Sequence, residues 1–197
     1  VRVRGGSGRA SAASDVEKRQ VCDPVWGVDA WISLGLAAVR TSKIRLGTML
    51  TPPSRRRPWE LASQVATVDR ISDDRVTLSV GLGATDSGFE TFGEECNRQV
   101  RAKLMDECLD VMCGLWQGQP FEYSGTHYTV QATEFPTIGH TVQQPRVPIW
   151  CVGAPGTPES MRRASAGDGF LPTGLSRYTK RTPRQQPCTN SLARARR

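Results

Sequence analysis

Histidine is nearly absent from this sequence, which has two in 197 residues, and no apolar run approaches the ~20 residues of a bilayer crossing. His127 and His140 stand apart in a polar connecting region, so no histidine cluster offers a metal site. The six cysteines, Cys22, Cys96, Cys108, Cys113, Cys151 and Cys188, form neither a CxxC pair nor a compact disulfide spacing. They read as buried free thiols. The opening VRVRGGSGRASAASD lacks the apolar centre of a secretory signal, and no membrane partner is expected, so the expected location is cytoplasmic. No Ser/His/Asp arrangement and no pair of carboxylates falls at a strand end. That leaves no catalytic acid, base or nucleophile to name.

Acidic residues are missing altogether from positions 176–197. The formal net charge of +7 points to nucleic acid until it is located. Residues 1–20 carry +3, residues 176–197 carry +7, and the interior carries −3. Both ends are rich in arginine and poor in large apolar side chains, too little to offset the entropy of ordering. The expected organisation is therefore one ordered domain at 21–175 between disordered basic tails at 1–20 and 176–197. Beyond Tyr178 no aromatic is interleaved to stack on bases, so solvated ends are expected and nucleic-acid binding is not. With 38% hydrophobic and 23% charged residues the chain has the make-up of a globular domain. The length falls short of the ~250 residues typical of a closed (β/α)8 barrel.

The interior carries an alternation of helix and strand signals. Asp29 is placed to cap a helix in which Trp31, Leu34, Ala37 and Ala38 recur at helical spacing. A short apolar strand over 44–50 stops at Thr51-Pro52-Pro53. Arg55-Arg56-Arg57 precede Pro58, a good first helical residue, and Leu61, Val65, Val68 and Ile71 line one face of the helix it starts. After a turn at Ser72-Asp73-Asp74 comes a strand over 76–80, then a long amphipathic helix over about 101–117 ended by Gly118. Phe121 to Val130 reads as a short hairpin around Ser124-Gly125. A strand over 148–152, a helix over about 158–166 and a strand from Asp168 complete the series. Largely apolar strands alternating with helices mean an α/β fold with a parallel sheet. Pattern alone does not separate a barrel from an open doubly wound sheet, but in both the chemistry lies at the strands' carboxyl ends.

Those ends are small and flexible: Gly81-Leu82-Gly83-Ala84, then Gly153 to Thr157. Glycine lets a flat ring or a phosphate approach the backbone, although glycines in such turns are also plain turn formers. The first motif is not a full GxGxxG, and no acidic residue stands where a ribose would need one, which argues against a Rossmann site. Arg55, Arg56 and Arg57 lie on the same face, either to pair with an anionic cofactor tail or as a solvated basic loop.

Three segments in order resemble the luciferase-like monooxygenase family of flavin- and coenzyme F-420-dependent oxidoreductases. They are DAWISLGLAAVRTSKIRLGTMLTPPSRRRPWELA at 29–62, TVDRISDDRVTLSVGLGA at 67–84 and VPIWCVGAPGTPESMRRASAGDGFLP at 147–172. WQGQPFEYSGTHYTV at 116–130 is similar to the family's segment before its fifth strand. The resemblance implies a (β/α)8 barrel (TIM barrel) that binds FMN or coenzyme F-420 at the strand carboxyl ends. The implied activity is hydride transfer or oxygen insertion on a small-molecule organic substrate. Residues matched to cofactor contacts are Thr48, Met49 and Thr51 after the third strand, Leu82, Gly83 and Ala84 after the fourth, and Val152, Gly153 and Ala154 after the fifth. In the deazaflavin branch a non-proline cis peptide stands where Thr48-Met49 falls, and the run AGDGF at 166–170 tilts the reading towards F-420.

Residues 1–28 show no counterpart of the family's first two strands, and the seventh and eighth are missing after about residue 175. About four of eight strand–helix units are expected, a partial TIM barrel that looks truncated at both ends. Open sheet edges would then favour self-association. The alternatives are a non-catalytic barrel fragment serving as a weak cofactor-binding or interaction module and, last, nucleic-acid binding through the basic tails.

Overall fold

A computed structural model describes residues 18–21, 23–118, 120–133, 141–153 and 157–172. The bulk of both expected tails, Cys22, His140, Ala154, Tyr178 and Cys188 lie outside the described residues. In chain order the elements are strand β1 (Lys18–Val21), helix α1 (Ala30–Arg40), β2 (Arg45–Thr48), α2 (Pro58–Ser72), β3 (Val76–Val80) and α3 (Arg98–Gln117). Next come β4 (Phe121–Ser124), β5 (Thr129–Thr133), β6 (Ile149–Gly153), α4 (Pro158–Ala166) and β7 (Gly169–Pro172).

Five strands form one parallel sheet in the order β1-β2-β3-β6-β7, while β4 and β5 make a separate antiparallel hairpin. Every step across the sheet therefore follows the chain direction. A doubly wound sheet reverses its strand order at a switch point and a (β/α)8 barrel does not, so pairing order decides what pattern left open. Alternation gives the sheet two faces. Leu46, Val76, Leu78, Val80, Ile149 and Cys151 are buried against the helices, while Gly47, Thr77, Ser79, Trp150 and Val152 point the other way.

The start of the sheet corrects one expectation. Lys18–Gln20 were assigned to a disordered tail, yet they pair in parallel with Arg45–Gly47, and Val21 pairs with Thr48. The sheet thus has five strands where about four were expected. A four-residue strand reading Lys-Arg-Gln-Val shows neither alternation nor an apolar run, so its membership of the sheet is visible only through its partner.

Helix boundaries follow local chemistry. Asp29 caps α1, its Oδ1 accepting from the Ile32 N–H at 2.8 Å, and Trp31, Leu34 and Ala38 are buried. The far end of α1 is held by Arg75, whose guanidinium donates to the carbonyls of Ala38, Thr41 and Ile44 at 2.8–3.0 Å. In α2 the buried stripe continues through Leu61, Val65, Val68 and Ser72, so Ile71, expected on that face, falls beside it and is 48% exposed. Asp73 and Asp74 then take positive φ values of 55° and 63°, conformations that aspartate tolerates better than most residues. Helix α3 starts three residues before the expected position because Asn97 caps it, accepting from Gln99 and Val100. Trp116 near its end donates to the Ala62 carbonyl at 3.1 Å and ties α3 to α2.

Two carboxylates fix the connections. Glu107 accepts from the backbone N–H groups of Thr126, His127 and Tyr128 at 2.8–3.1 Å, which docks the hairpin on α3. Asp69, fully buried, accepts from the N–H groups of Val142 and Gln143 and from the Gln143 amide, which sets the approach to β6.

Candidate cofactor site

The carboxyl ends of β2 and β3 are stitched by hydroxyls and backbone. Thr48, fully buried, donates from Oγ1 to the Ser79 carbonyl, and Thr51 donates from Oγ1 to Thr48 Oγ1, both at 3.1 Å. The Thr51 N–H bonds the Ser79 carbonyl at 2.7 Å, and the Gly81 N–H returns to the Thr51 carbonyl at 3.3 Å. Met49 and Leu50 are left to loop out between these two threonines, with Met49 49% exposed. The Thr48–Met49 peptide is trans, against the expectation from the deazaflavin branch, and the cis bond among the described residues is Gln144–Pro145.

Gly81 is where three strand ends meet. A Cβ built there would lie 2.9 Å from Leu50 Cδ2 and 3.2 Å from Val152 Cβ. Gly81, which was not among the expected site residues, thus lies beside Leu50 and beside two that were, Val152 through packing and Thr51 through its backbone bond. Leu82 packs on the core, Gly83 has φ +72°, and Ala84 is exposed at the start of a one-turn 3-10 helix over Thr85–Ser87. Val152 is half-buried beside Gly153, which is buried. A Cβ at Gly153 would meet the Phe170 ring at 2.2 Å, so any larger residue there would displace that ring. Ala154, in the continuation of this loop, lies outside the described residues.

Two features of the loop after β3 were not legible beforehand. Arg101, in the first turn of α3, donates from Nη1 to the Leu82 carbonyl and to the Gly83 carbonyl, the latter at 3.2 Å. In a trans peptide the N–H points away from the preceding carbonyl, so the Gly83 and Ala84 N–H groups turn away from Arg101. Among the described residues neither has an acceptor. Phe89, 1% exposed, has two guanidinium groups over its ring: Arg55 Cζ is 5.5 Å and Arg101 Cζ 5.3 Å from the ring centre.

Of the three arginines between β2 and α2, Arg57 is exposed, while Arg55 and Arg56 are engaged by the protein itself. Arg55 donates to the Asp23 and Pro24 carbonyls, and Arg56 makes a two-pronged pair with the buried Asp23 carboxylate at 2.7 and 3.0 Å. Burial, only partly opposed by Asp23, pushes the Arg55 pKa below its usual value. For Arg56 burial acts the same way, but the hydrogen bonds and charge of Asp23 prevail and raise it. Neither is a free cation awaiting an anionic tail. Among the described residues no group of histidine, cysteine or carboxylate side chains could hold a metal ion. The described strand-end loops are made of backbone, glycine and small or apolar side chains.

Residues 16–185 match the family model described as luciferase-like monooxygenase, which reaches beyond 29–172 at both ends. The chain belongs to the luciferase-like monooxygenase family. Its five parallel strands are consecutive units of the family's barrel. The F-420-dependent glucose-6-phosphate dehydrogenase of Nocardia farcinica is 34% identical over 158 residues, 76% of this chain and 44% of that protein. The structure of coenzyme F-420-dependent tetrahydromethanopterin reductase from Methanopyrus kandleri matches with a TM-score of 0.69 at 27% identity, covering 79% of this chain and 47% of that one. The FMN complex of the oxygenating constituent of 3,6-diketocamphane monooxygenase from Pseudomonas putida, 19% identical with a TM-score of 0.62, shares the fold over 79% of this chain and 47% of that one. The chain spans about half the length of these relatives. No described helix of this luciferase-like chain is long and apolar enough to cross a membrane.

Proposed function

We propose that this chain carries the cofactor-binding part of an oxidoreductase that uses coenzyme F-420, with FMN as the second candidate, on a small organic substrate. The observation that carries the reading is the meeting of three strand ends at Gly81, beside two backbone N–H groups, of Gly83 and Ala84, that have no acceptor among the described residues. Glycine at 81 lets Leu50 and Val152 pack over the end of β3, and the N–H pair beyond it suits the carbonyl or ribityl oxygens of a flavin or deazaflavin. F-420 is favoured over FMN because the Nocardia dehydrogenase and the Methanopyrus reductase, both above 25% identity, carry F-420 in their names.

Bound at this place, the ring would supply the redox chemistry, accepting or delivering a hydride. The chain's own residues would do the rest. Gly83 and Ala84 would donate to the ring or its ribityl oxygens, and Leu50 and Val152 would shield one side from water. Thr48 and Thr51, bonded to each other and to β3, would keep the two loops in register, with Met49, Leu82 and Gly153 completing the contact surface and Ala154 continuing the same loop. Titration with F-420 and with FMN, followed by tryptophan fluorescence, tests the reading. Trp150, on the sheet face that carries Val152, is the expected reporter, and saturable micromolar binding is the expected result. A folded sample that binds neither cofactor would overturn it.

A second reading, an interaction module, is favoured by the outward face of α1. Ile32, Leu36 and Val39 are 69%, 67% and 71% exposed there, opposite the buried stripe of the same helix. The occupant that fits is a second copy of the chain, because Asp29 at one end and Arg40 at the other give an antiparallel pair of α1 helices matching charges. The two readings are compatible, and analytical ultracentrifugation tests this one independently of the cofactor.

A further inference from the structure

The cofactor reading uses the two N–H groups of the loop after β3 and leaves open what holds them in place. A loop with positive φ at Gly83 and a single turn of 3-10 helix behind it has little local reason to keep one peptide orientation. Three observations converge on Arg101. Its Nη1 takes the carbonyls of both Leu82 and Gly83, so two consecutive peptides, whose N–H groups turn away from it, are anchored by one donor. Its guanidinium lies over the Phe89 ring, as does that of Arg55. Phe89 in turn fills the space beside Gly83, where an added Cβ would meet its Cζ at 2.8 Å and Pro52 at 3.1 Å.

Arg55 carries the connection further, since it donates to the carbonyls of Asp23 and Pro24 in the segment after β1. One buried ring with two guanidinium groups over it therefore links the loops leaving β1, β2 and β3. A surface arginine of a solvated helix would do none of this. Arg101 is only 5% exposed although it stands in the first turn of α3, where a positive charge is unfavourable next to the helix dipole. Its bonds to the two carbonyls offset that placement.

We propose that Arg101 is a positioning residue for cofactor binding, which aims the Gly83 and Ala84 N–H groups at the ligand and is itself fixed by the Arg55–Phe89–Arg101 cluster. The inference rests on the cofactor reading. It assigns no chemistry to Arg101, which touches protein carbonyls and not the reacting atoms.

The test compares wild type, Arg101→Met, Arg101→Lys and Phe89→Leu by titration with F-420, FMN and riboflavin, with thermal melts and far-ultraviolet circular dichroism alongside. Arg101→Met is expected to raise the dissociation constant of the bound cofactor tenfold or more in protein that remains folded. Arg101→Lys, which keeps a donor for the carbonyls, is expected to restore part of that affinity, and Phe89→Leu to cost about three- to tenfold. Because the N–H pair is assigned to the ring or ribityl part, FMN and riboflavin are expected to weaken by the same factor. Wild-type affinity in folded Arg101→Met overturns the proposal, as does a lysine variant no better than methionine at equal stability. Should Arg101→Met not fold, unchanged affinity in folded Phe89→Leu overturns it instead. Failure of the wild type to bind any of the three ligands removes the cofactor reading itself, a separate result visible before any variant is made.

Discussion

A methyl group added at Gly83 would press on Phe89 at 2.8 Å and on Pro52 at 3.1 Å, from a backbone already at φ +72°. Gly93 has nearly the same φ, +71°, with nothing within 4 Å of the added carbon. The two positions separate backbone strain from crowding. Gly93→Ala is expected to cost about 1 kcal/mol, and Gly83→Ala about 2–3 kcal/mol, from thermal melts of both variants. Equal losses would show that Phe89 yields and the loop is not tightly held. The thiols give a second prediction at this scale. Burial, with a smaller contribution from Cys113, pushes the Cys108 thiol up to about 12, and burial raises Cys113 and Cys151 as well. At pH 8 Cys108 is then thiolate in only about one molecule in ten thousand. Iodoacetamide is expected to leave it unmodified in native protein and to modify it after denaturation, read by peptide mass spectrometry. The burial of Cys108 and Cys151 was legible from the sequence, while Cys96 and Cys113, expected to be buried too, are half-buried. Arg101 and Arg75 were not, because the carbonyls they hold lie 18–19 and 31–37 positions away in the chain. An arginine reads as a solvated charge until its acceptors are in view.

Elements were legible where their own residues decide them. Helix α1 shows its aspartate cap and α2 its leading proline, and the hairpin falls where Ser124-Gly125 placed it. The cap of α3 was missed although asparagine is a good N-cap, because the apolar stripe that guided the reading begins further on, at Leu104. Strand β1 was hidden because its sequence is polar and its pairing partner is 27 positions away. The docking of the hairpin depends on one carboxylate, and this gives a pH prediction. Burial works against the Glu107 charge, but the N–H groups of His127, Tyr128 and Thr126 prevail and hold its pKa below the usual value. A folded-state pKa below the unfolded one, about 4.3, means stabilisation that is complete above that value and lost as the pH falls through the folded pKa. With the carboxylate in contact with solvent, the contribution is about 1 kcal/mol. Glu107→Gln is expected to be less stable than wild type at pH 7, with the two curves converging below about pH 4. A gap that persists under acid would place the stabilisation in side-chain packing and not in charge.

At the scale of the molecule, the sequence pattern allowed two architectures, and the strand order selected the barrel type because all five parallel strands are met in chain order. The site was legible in the same partial way. The resemblance pointed to the strand ends after β2, β3 and β6, but that Leu50 and Val152 meet at Gly81 and that Arg55 and Arg101 both lie over Phe89 is a property of the assembled loops. Besides the open sheet edges at which association is expected, the outward face of α1 is the surface proposed for it. A helix buried on one face by Trp31, Leu34 and Ala38 would ordinarily present polar side chains on the other, yet Ile32, Leu36 and Val39 stand there, with Val28 71% exposed just before the helix. Exposure of this kind marks a contact surface. Two copies related by a two-fold axis would set the apolar stripe against itself and bring Arg40 of each helix towards Asp29 of the other. Replacing Leu36, at the middle of the stripe, puts a charge near the axis, where it opposes its own copy and is desolvated. Leu36→Glu is therefore expected to convert a concentration-dependent dimer to monomer in sedimentation velocity, with the circular dichroism and cofactor affinity of the wild type retained. A wild type that sediments as a monomer at every concentration would remove the self-association reading, and a Leu36→Glu variant that still dimerises would move the contact off α1.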